Sequence, residues 1–243
     1  MVWNLRPDVN ILSGVNGVGK STILNRSVGE LQRVMGDVRL TFSPEEATGI
    51  RFDVIRSFDR PLLRADILDR IADAPLATEL DWQLYQLQRR YLDYQVNVGN
   101  RILEMFTSGA TDAHQRAQEM AADKTCFHDL VDDLFQETGK TINRHSNEIQ
   151  LEQMGEMLNP YQLSSGEKQM LVILLTVLVE DKQPYALFMD EPEVSRHIEW
   201  QQRLIEIIRT LNPNVQIILT THSPAVVMNG WMDAVTDVAD IVS

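Results

Sequence analysis

The chain has 243 residues, 44% of them hydrophobic and 23% charged, the balance of a globular fold long enough to bury a sizeable core. Its net charge of −13 argues against a surface that coats nucleic acid broadly, which leaves room for a local basic patch only. A single cysteine, Cys126, excludes an intramolecular disulfide and a thiolate metal cluster, and it reads as a small helix residue.

The chain opens Met1-Val2-Trp3-Asn4-Leu5-Arg6, which is not the pattern of a secretory leader. Its longest apolar run, Met170 to Val179, is too short to span a bilayer. Both point to a soluble, cytoplasmic protein without membrane insertion. Trp3 is expected to pack against a helix or sheet edge, with stacking on a nucleotide base as the alternative. Val9 to Leu12 reads as a buried strand, and residues 14–21 then spell Gly-Val-Asn-Gly-Val-Gly-Lys-Ser. This is a complete G-x-x-x-x-G-K-[ST] phosphate loop between a strand and a helix opened by Thr22-Ile23-Leu24. Gly14, Asn16, Gly17, Val18, Gly19, Lys20, Ser21 and Thr22 form the expected nucleotide-binding wall. The glycines let successive N–H groups face phosphate oxygens, and the helix N-terminus adds its dipole. Lys20 would reach the β- and γ-phosphates, and Ser21 would ligate Mg²⁺.

Val38 to Phe42 and Ile50 to Ile55 alternate around a Ser43-Pro44 turn and suggest a small β-lobe. After Pro75 the rhythm turns helical: Leu80, Leu84, Leu87, Tyr91, Tyr94, Val98, Ile102 and Met105 form one stripe. Ala113, Ala117, Met120, Lys124, Phe127, Val131 and Leu134 form a second, beyond a turn at Thr107 to Asp112. Together they predict an antiparallel helical hairpin whose first helix reaches only about 40 Å, too short for a DNA-tethering arm. Its stripes are expected to pack on each other and on the core, with a partner-docking arm as the sharper alternative. Arg89, Arg90 and Arg101 read equally as solvated face or phosphate contacts. His114, His128 and His145 lack ligand spacing and read as surface residues. A short strand, Glu148 to Leu151, then returns the chain towards residue 163.

Leu163-Ser164-Ser165-Gly166-Glu167 precedes an apolar helix running to Val179, with Ser164 and Glu167 spaced as a capping box. Ala186 to Met189 reads as a buried parallel strand ending in Asp190-Glu191. Asp190 is placed to hold Mg²⁺, and Glu191 to polarise an attacking water. Val215 to Thr220 is another buried strand, ending in Thr221-His222.

Leu163 to Gln169 resembles the signature motif of ABC-type ATPases, and its Gly-Glu-Lys form is closer to the SMC, RecF and OLD (AAA_21-like) group than to transporters. Asp190-Glu191-Pro192-Glu193, followed by His197 and Gln201, resembles the OLD-type acidic motif, and His222 resembles the switch histidine. The likeness covers about residues 9–26 and 160–226. It departs at Arg196 and Ile198, where the family has Leu and Pro, and at Ser165, where many members have Gly. No Ser-Ala-Leu-Asp segment occurs, and Ile55 to Asp59 supplies no glutamine-loop residue. The resemblance implies ATP as the nucleotide. It also implies a head-to-tail homodimer in which Ser164, Ser165, Gly166 and Glu167 of one chain cap the γ-phosphate held by the other. His222 would then contact that phosphate or the attacking water, and His197 could line the dimer interface or simply pack.

The expected fold is α/β: an ABC-type P-loop NTPase with a mostly parallel sheet, a small β-lobe and a helical-hairpin insert. One domain spans 1–243, as a P-loop half (1–75), a helical insert (76–146) and a half carrying the signature, acidic strand and switch histidine (147–243). The expected function is a soluble ATPase that dimerises around Mg²⁺-ATP to control a separate effector protein or a nucleic-acid process, as in bacterial defence. The alternatives are the ATP-binding subunit of a membrane transporter and a nucleotide sensor with little turnover.

Overall fold

The computed structural model describes residues 3–15, 17–35, 51–56, 76–109, 112–193 and 198–242. Strand β1 (Val9–Ser13) leads through the phosphate loop into α1 (Lys20–Met35), and β2 (Phe52–Arg56) follows. Helices α2 (Glu79–Thr107) and α3 (Ala113–Leu134) precede three short strands, β3 (Lys140–Ile142), β4 (Leu151–Gln153) and β5 (Glu156–Leu158). The order ends with α4 (Ser165–Val179), β6 (Tyr185–Asp190), α5 (Ile198–Leu211), β7 (Val215–Thr220), α6 (Pro224–Met228), β8 (Val235–Asp237) and α7 (Val238–Val242). Two compact units divide the chain: Met1–Phe58 with Lys182–Ser243, and Asp59–Asp181.

The first unit is built on a five-stranded sheet in the order β2-β6-β7-β1-β8, with every neighbouring pair parallel. Parallel sheets are covered on both faces, which is why β6 is buried at all six positions and β7 at all but Gln216. Leu24 and Val28 of α1 pack on Ala186, Phe188 and Ile218, and Trp3 packs against this cluster and against Leu12, Ile23, Val238 and Ile241. Trp3 is thus a packing residue, as expected. Residues 52–56 are a strand, but in register with β6 at the edge of the main sheet, where Phe52 meets Phe188 edge-on at 6.0 Å. The other expected lobe strand, 38–42, lies outside the described residues. Because β7 sits between β6 and β1, Thr220 is in register with both Leu12 and Asp190. Three strand C-termini therefore end side by side, the edge where α/β sheets bind ligands.

The second unit holds the helical hairpin. Thr78 and Asp81 form a reciprocal capping box that starts α2. Leu80, Leu84, Leu87, Tyr91 and Tyr94 are buried, while Val98, Ile102 and Met105 are half-buried further out. The predicted α3 stripe is likewise inward, with Lys124 half-buried and donating to Gln95 Oε1 at 2.6 Å. The arginines of α2 serve the protein itself: Arg90 pairs with Glu180, Arg101 with Asp181, and Arg89 lies over the Tyr85 ring. Strands β3, β4 and β5 form a small antiparallel sheet. The return strand begins at Leu151, where the expected one ends.

His128 corrects an expectation. His114 and His145 are exposed, but His128 is buried on α3, with Nε2 3.3 Å from the Tyr91 hydroxyl. Burial first, then the nearby Lys124 and Arg144 charges, push its imidazole down to about 4, against the opposing pull of Asp132 and Asp129. An unfolded histidine titrates near about 6.5, so on acidification the unfolded chain takes up this proton first. The stability held by neutral His128 is therefore lost as pH falls from about 6.5 to about 4 and changes no further below that. A His128→Gln variant should flatten the pH dependence of unfolding free energy in this window by up to one proton, measured by denaturant titration at each pH.

Candidate functional site

The phosphate loop leaves β1 at Ser13 and turns into α1, with Val18 N–H donating to Val15 C=O at 3.3 Å and Ile23 N–H to Gly19 C=O at 2.9 Å. Gly14 has φ +152, and a Cβ there would lie 2.9 Å from Val18 Cγ1; Gly19 has φ +102 in open space, so there the backbone angle is the requirement. Lys20 is almost fully buried. Its Nζ donates to Gly14 C=O at 2.9 Å and Val15 C=O at 3.4 Å and lies 3.9 Å from Glu191 Oε1. Gly17, Val18 and Thr22 are exposed at the loop and the start of α1. Asn16 lies outside the described residues.

Asp190 ends β6 and is buried. Its Oδ1 accepts from Ser21 Oγ at 2.8 Å and from Thr220 Oγ1 at 2.6 Å, joining α1, β6 and β7 on one oxygen. Thr220 was not singled out as a site residue. It lies 30 positions from Asp190 in sequence, and only the β6–β7 register brings the two together. Glu191 sits in the left-handed region at φ 49, its N–H donating to both the carbonyl and the hydroxyl of Thr220 at 3.1 Å. That turn lets Glu191 face the same edge as its neighbour, its Oε1 3.1 Å from His222 Nδ1 and 3.9 Å from Lys20 Nζ. Lys20, Ser21, Asp190, Glu191 and His222 therefore converge. Glu193 and Gln201 also enter this network, through the Thr221–Ser223 segment. They belong to the acidic motif, but that motif carries no signal for a role.

Ser21 and Asp190 offer the hard oxygen donors that Mg²⁺ takes. Among the described residues, no group of three or more His, Cys, Asp or Glu side chains could hold a metal by itself. Mg²⁺ in general takes few protein ligands at such sites and completes its shell with waters and substrate phosphate oxygens. His197, Arg196 and the 57–59 part of the missing glutamine-loop lie outside the described residues.

The signature segment belongs to the second unit. Ser164 caps α4: its Oγ accepts from Glu167 N–H at 3.3 Å, and its own N–H donates to Glu167 Oε2 at 3.0 Å. Ser164 and Ser165 are exposed and Gly166 is half-exposed. Glu167, grouped at first with the phosphate-contacting residues, is buried and commits both oxygens to the protein. Oε1 accepts from Lys140 Nζ at 2.8 Å and Thr138 Oγ1 at 2.9 Å, and Oε2 from Ser164. Burial raises the Glu167 pKa, but the hydrogen bonds from Lys140, Ser164 and Thr138 outweigh it and hold the carboxyl below its ordinary range.

Among solved structures, the chain resembles the Smc head domain of Pyrococcus furiosus, solved with an extended coiled coil and bound to the C-terminal domain of ScpA. The two are 12% identical, with 93% of this chain and 86% of that one covered at a TM-score of 0.47. The SMC head domain from Thermotoga maritima is 17% identical, with 93% and 85% covered at a TM-score of 0.43. A "Retron Vc95 probable ATPase" of Vibrio cholerae serotype O1 biovar El Tor is 34% identical over 83 residues. That match takes in 30% of this chain and 16% of the relative's own length. The family model described as "AAA domain, putative AbiEii toxin, Type IV TA system" matches residues 41–229. This spans the signature, the acidic strand end and the switch histidine, while the phosphate loop precedes it. With that match over most of its length, and a parallel sheet that brings the phosphate loop to the acidic strand end, the chain belongs to the AAA_21 family and has an ABC-like P-loop ATPase fold.

Proposed function

We propose that the chain binds ATP with Mg²⁺ and hydrolyses it to ADP and phosphate, working as a pair of chains around shared nucleotide. The observation that carries this is the convergence at three strand ends: Asp190 holding Ser21 and Thr220, and Glu191 lying between Lys20 and His222. Without such convergence the loop alone would argue only for phosphate binding.

Each residue has a physical task in this reading. The Gly14–Gly19 backbone and the start of α1 cradle the phosphates, and Lys20, now occupied with loop carbonyls, turns its charge to the β- and γ-phosphates. Ser21 and Asp190 hold Mg²⁺, whose charge offsets that of the phosphates. Glu191 orients and polarises the attacking water, and His222 meets the γ-phosphate side of the site. Exposed Ser164 and Ser165, with Gly166 at the start of α4, cap the γ-phosphate of the opposite chain, and Glu167 holds that cap in shape. Hydrolysis removes the shared phosphate and so loosens the pair.

The family description and the retron relative support a place beside a separate effector, in a toxin–antitoxin or retron-type defence module. Among the described residues no helix is long and apolar enough to cross a membrane.

In Glu191→Gln, chemistry should stall with nucleotide bound, so particle mass measured by light scattering should double on adding Mg²⁺-ATP. The doubling should vanish in Lys20→Ala. A mass that stays at one chain with ATP bound sinks the paired reading. Thr220→Val keeps the shape but removes a donor from buried Asp190, so it should lower unfolding free energy by about 1–3 kcal/mol and raise the Mg²⁺ concentration needed for half-maximal activity. Calorimetry and a Mg²⁺ titration of hydrolysis check the two effects.

A further inference from the structure

Glu193 stands two residues beyond the proposed base, and its side chain meets the segment that follows β7. Its side chain is only 8% exposed, and Oε1 gathers three donors from one short segment. These are the N–H of His222 at 2.9 Å, the N–H of Ser223 at 3.2 Å and the hydroxyl of Thr221. Its Oε2 is also buried and has no hydrogen-bond partner among the described residues. Desolvating a carboxylate this way is costly, and here the compensation comes from charge-assisted bonds that all fix the turn after β7.

A second lashing closes the circuit. Gln201, in the first turns of α5, donates from Nε2 to the Glu193 carbonyl at 3.3 Å and accepts from Ser223 Oγ at 2.6 Å. The acidic-motif segment and the histidine segment are thus tied to each other by side chain and main chain. The result is visible at the imidazole: His222 Nδ1 lies 3.1 Å from Glu191 Oε1 and 3.8 Å from Glu193 Oε1. A neutral imidazole beside a carboxylate at this distance donates from Nδ1 and keeps Nε2 as its acceptor. His222 itself is 45% exposed, so packing contributes little to holding that orientation.

We propose that Glu193 is a positioning residue of this site, fixing the Thr221-His222-Ser223 turn so that His222 stays engaged with Glu191. This rests on the Mg²⁺-ATP reading above, and it adds a carboxylate that acts on the reaction only through the histidine.

The test compares Glu193→Ala with Glu193→Gln, each alone and combined with His222→Ala. Glu193→Ala should lower kcat roughly ten- to hundredfold while leaving ATP affinity within about twofold. Glu193→Gln should recover most of the loss, because its amide oxygen can accept from the same three donors. In the His222→Ala background, Glu193→Ala should add nothing further. An equal loss in that background, or a loss in affinity in place of kcat, overturns the proposal. If Glu193→Ala does not fold, Glu193→Asp carries the same comparison, since it keeps the charge but withdraws it by one methylene. A second readout needs no turnover. In protein carrying ¹³C-labelled histidine, five ring signals are expected, and His222→Ala assigns the relevant one. That signal should shift in Glu193→Ala and return in Glu193→Gln; an unmoved signal overturns the proposal. Wild-type protein that fails to hydrolyse ATP would remove the ATPase reading alone, and the histidine signal would still decide the role of Glu193.

Discussion

A buried carboxylate at the end of a parallel strand is the constraint on which the first unit turns. Asp190 cannot sit at 6% exposure without donors, and the two among the described residues come from different elements: Ser21 in the first turn of α1 and Thr220 at the end of β7. Satisfying that one oxygen requires the order β6-β7-β1, the register that sets Thr220 beside Asp190, and a helix starting directly after the phosphate loop. Fold and site are here two descriptions of one requirement. The same oxygen cluster that closes the sheet edge is the one suited to a hard cation.

The second unit repeats the logic with a different acid. Glu167 is also buried, and also answers to donors from separate elements: Ser164 at its own helix start, Lys140 on β3 and Thr138 just before it. The small antiparallel sheet therefore does more than fill space. It delivers the ammonium that lets a carboxylate stand at the base of an exposed serine cap.

Much of this was legible in the chain because it rests on short-range rules. The phosphate loop, the carboxylates after Met189, the histidine after Thr220 and the Ser164–Glu167 box are each encoded within a few adjacent residues. The α2 and α3 stripes follow the helical period closely enough that Leu80 to Tyr94 and Phe127 to Leu134 face inward as read. What escaped depends on long-range partners. Strands of three residues carry no usable alternation, so β3 and β5 left no trace and β4 was misplaced by its own length. His128 looked polar and exposed because the tyrosine that accommodates it is 37 residues away. Thr220, Glu193 and Gln201 gain meaning only when β6 and β7 lie side by side.

The ion pairs along α2 fix more than the packing of two helices. Asp81 meets Lys168 at 2.8 Å near the start of α4, while Arg90 and Arg101 hold Glu180 and Asp181 just beyond its end. Asp81 and Glu180 are both nearly inaccessible to water, so separating either from its partner removes the opposite charge that helps offset its burial. Sliding one helix past the other by a single turn, about 5.4 Å, would break all of these pairs together. The pairs therefore oppose axial slippage of the two helices, and a shift of the serine cap of α4 would draw along α2 from Asp81 to Arg101.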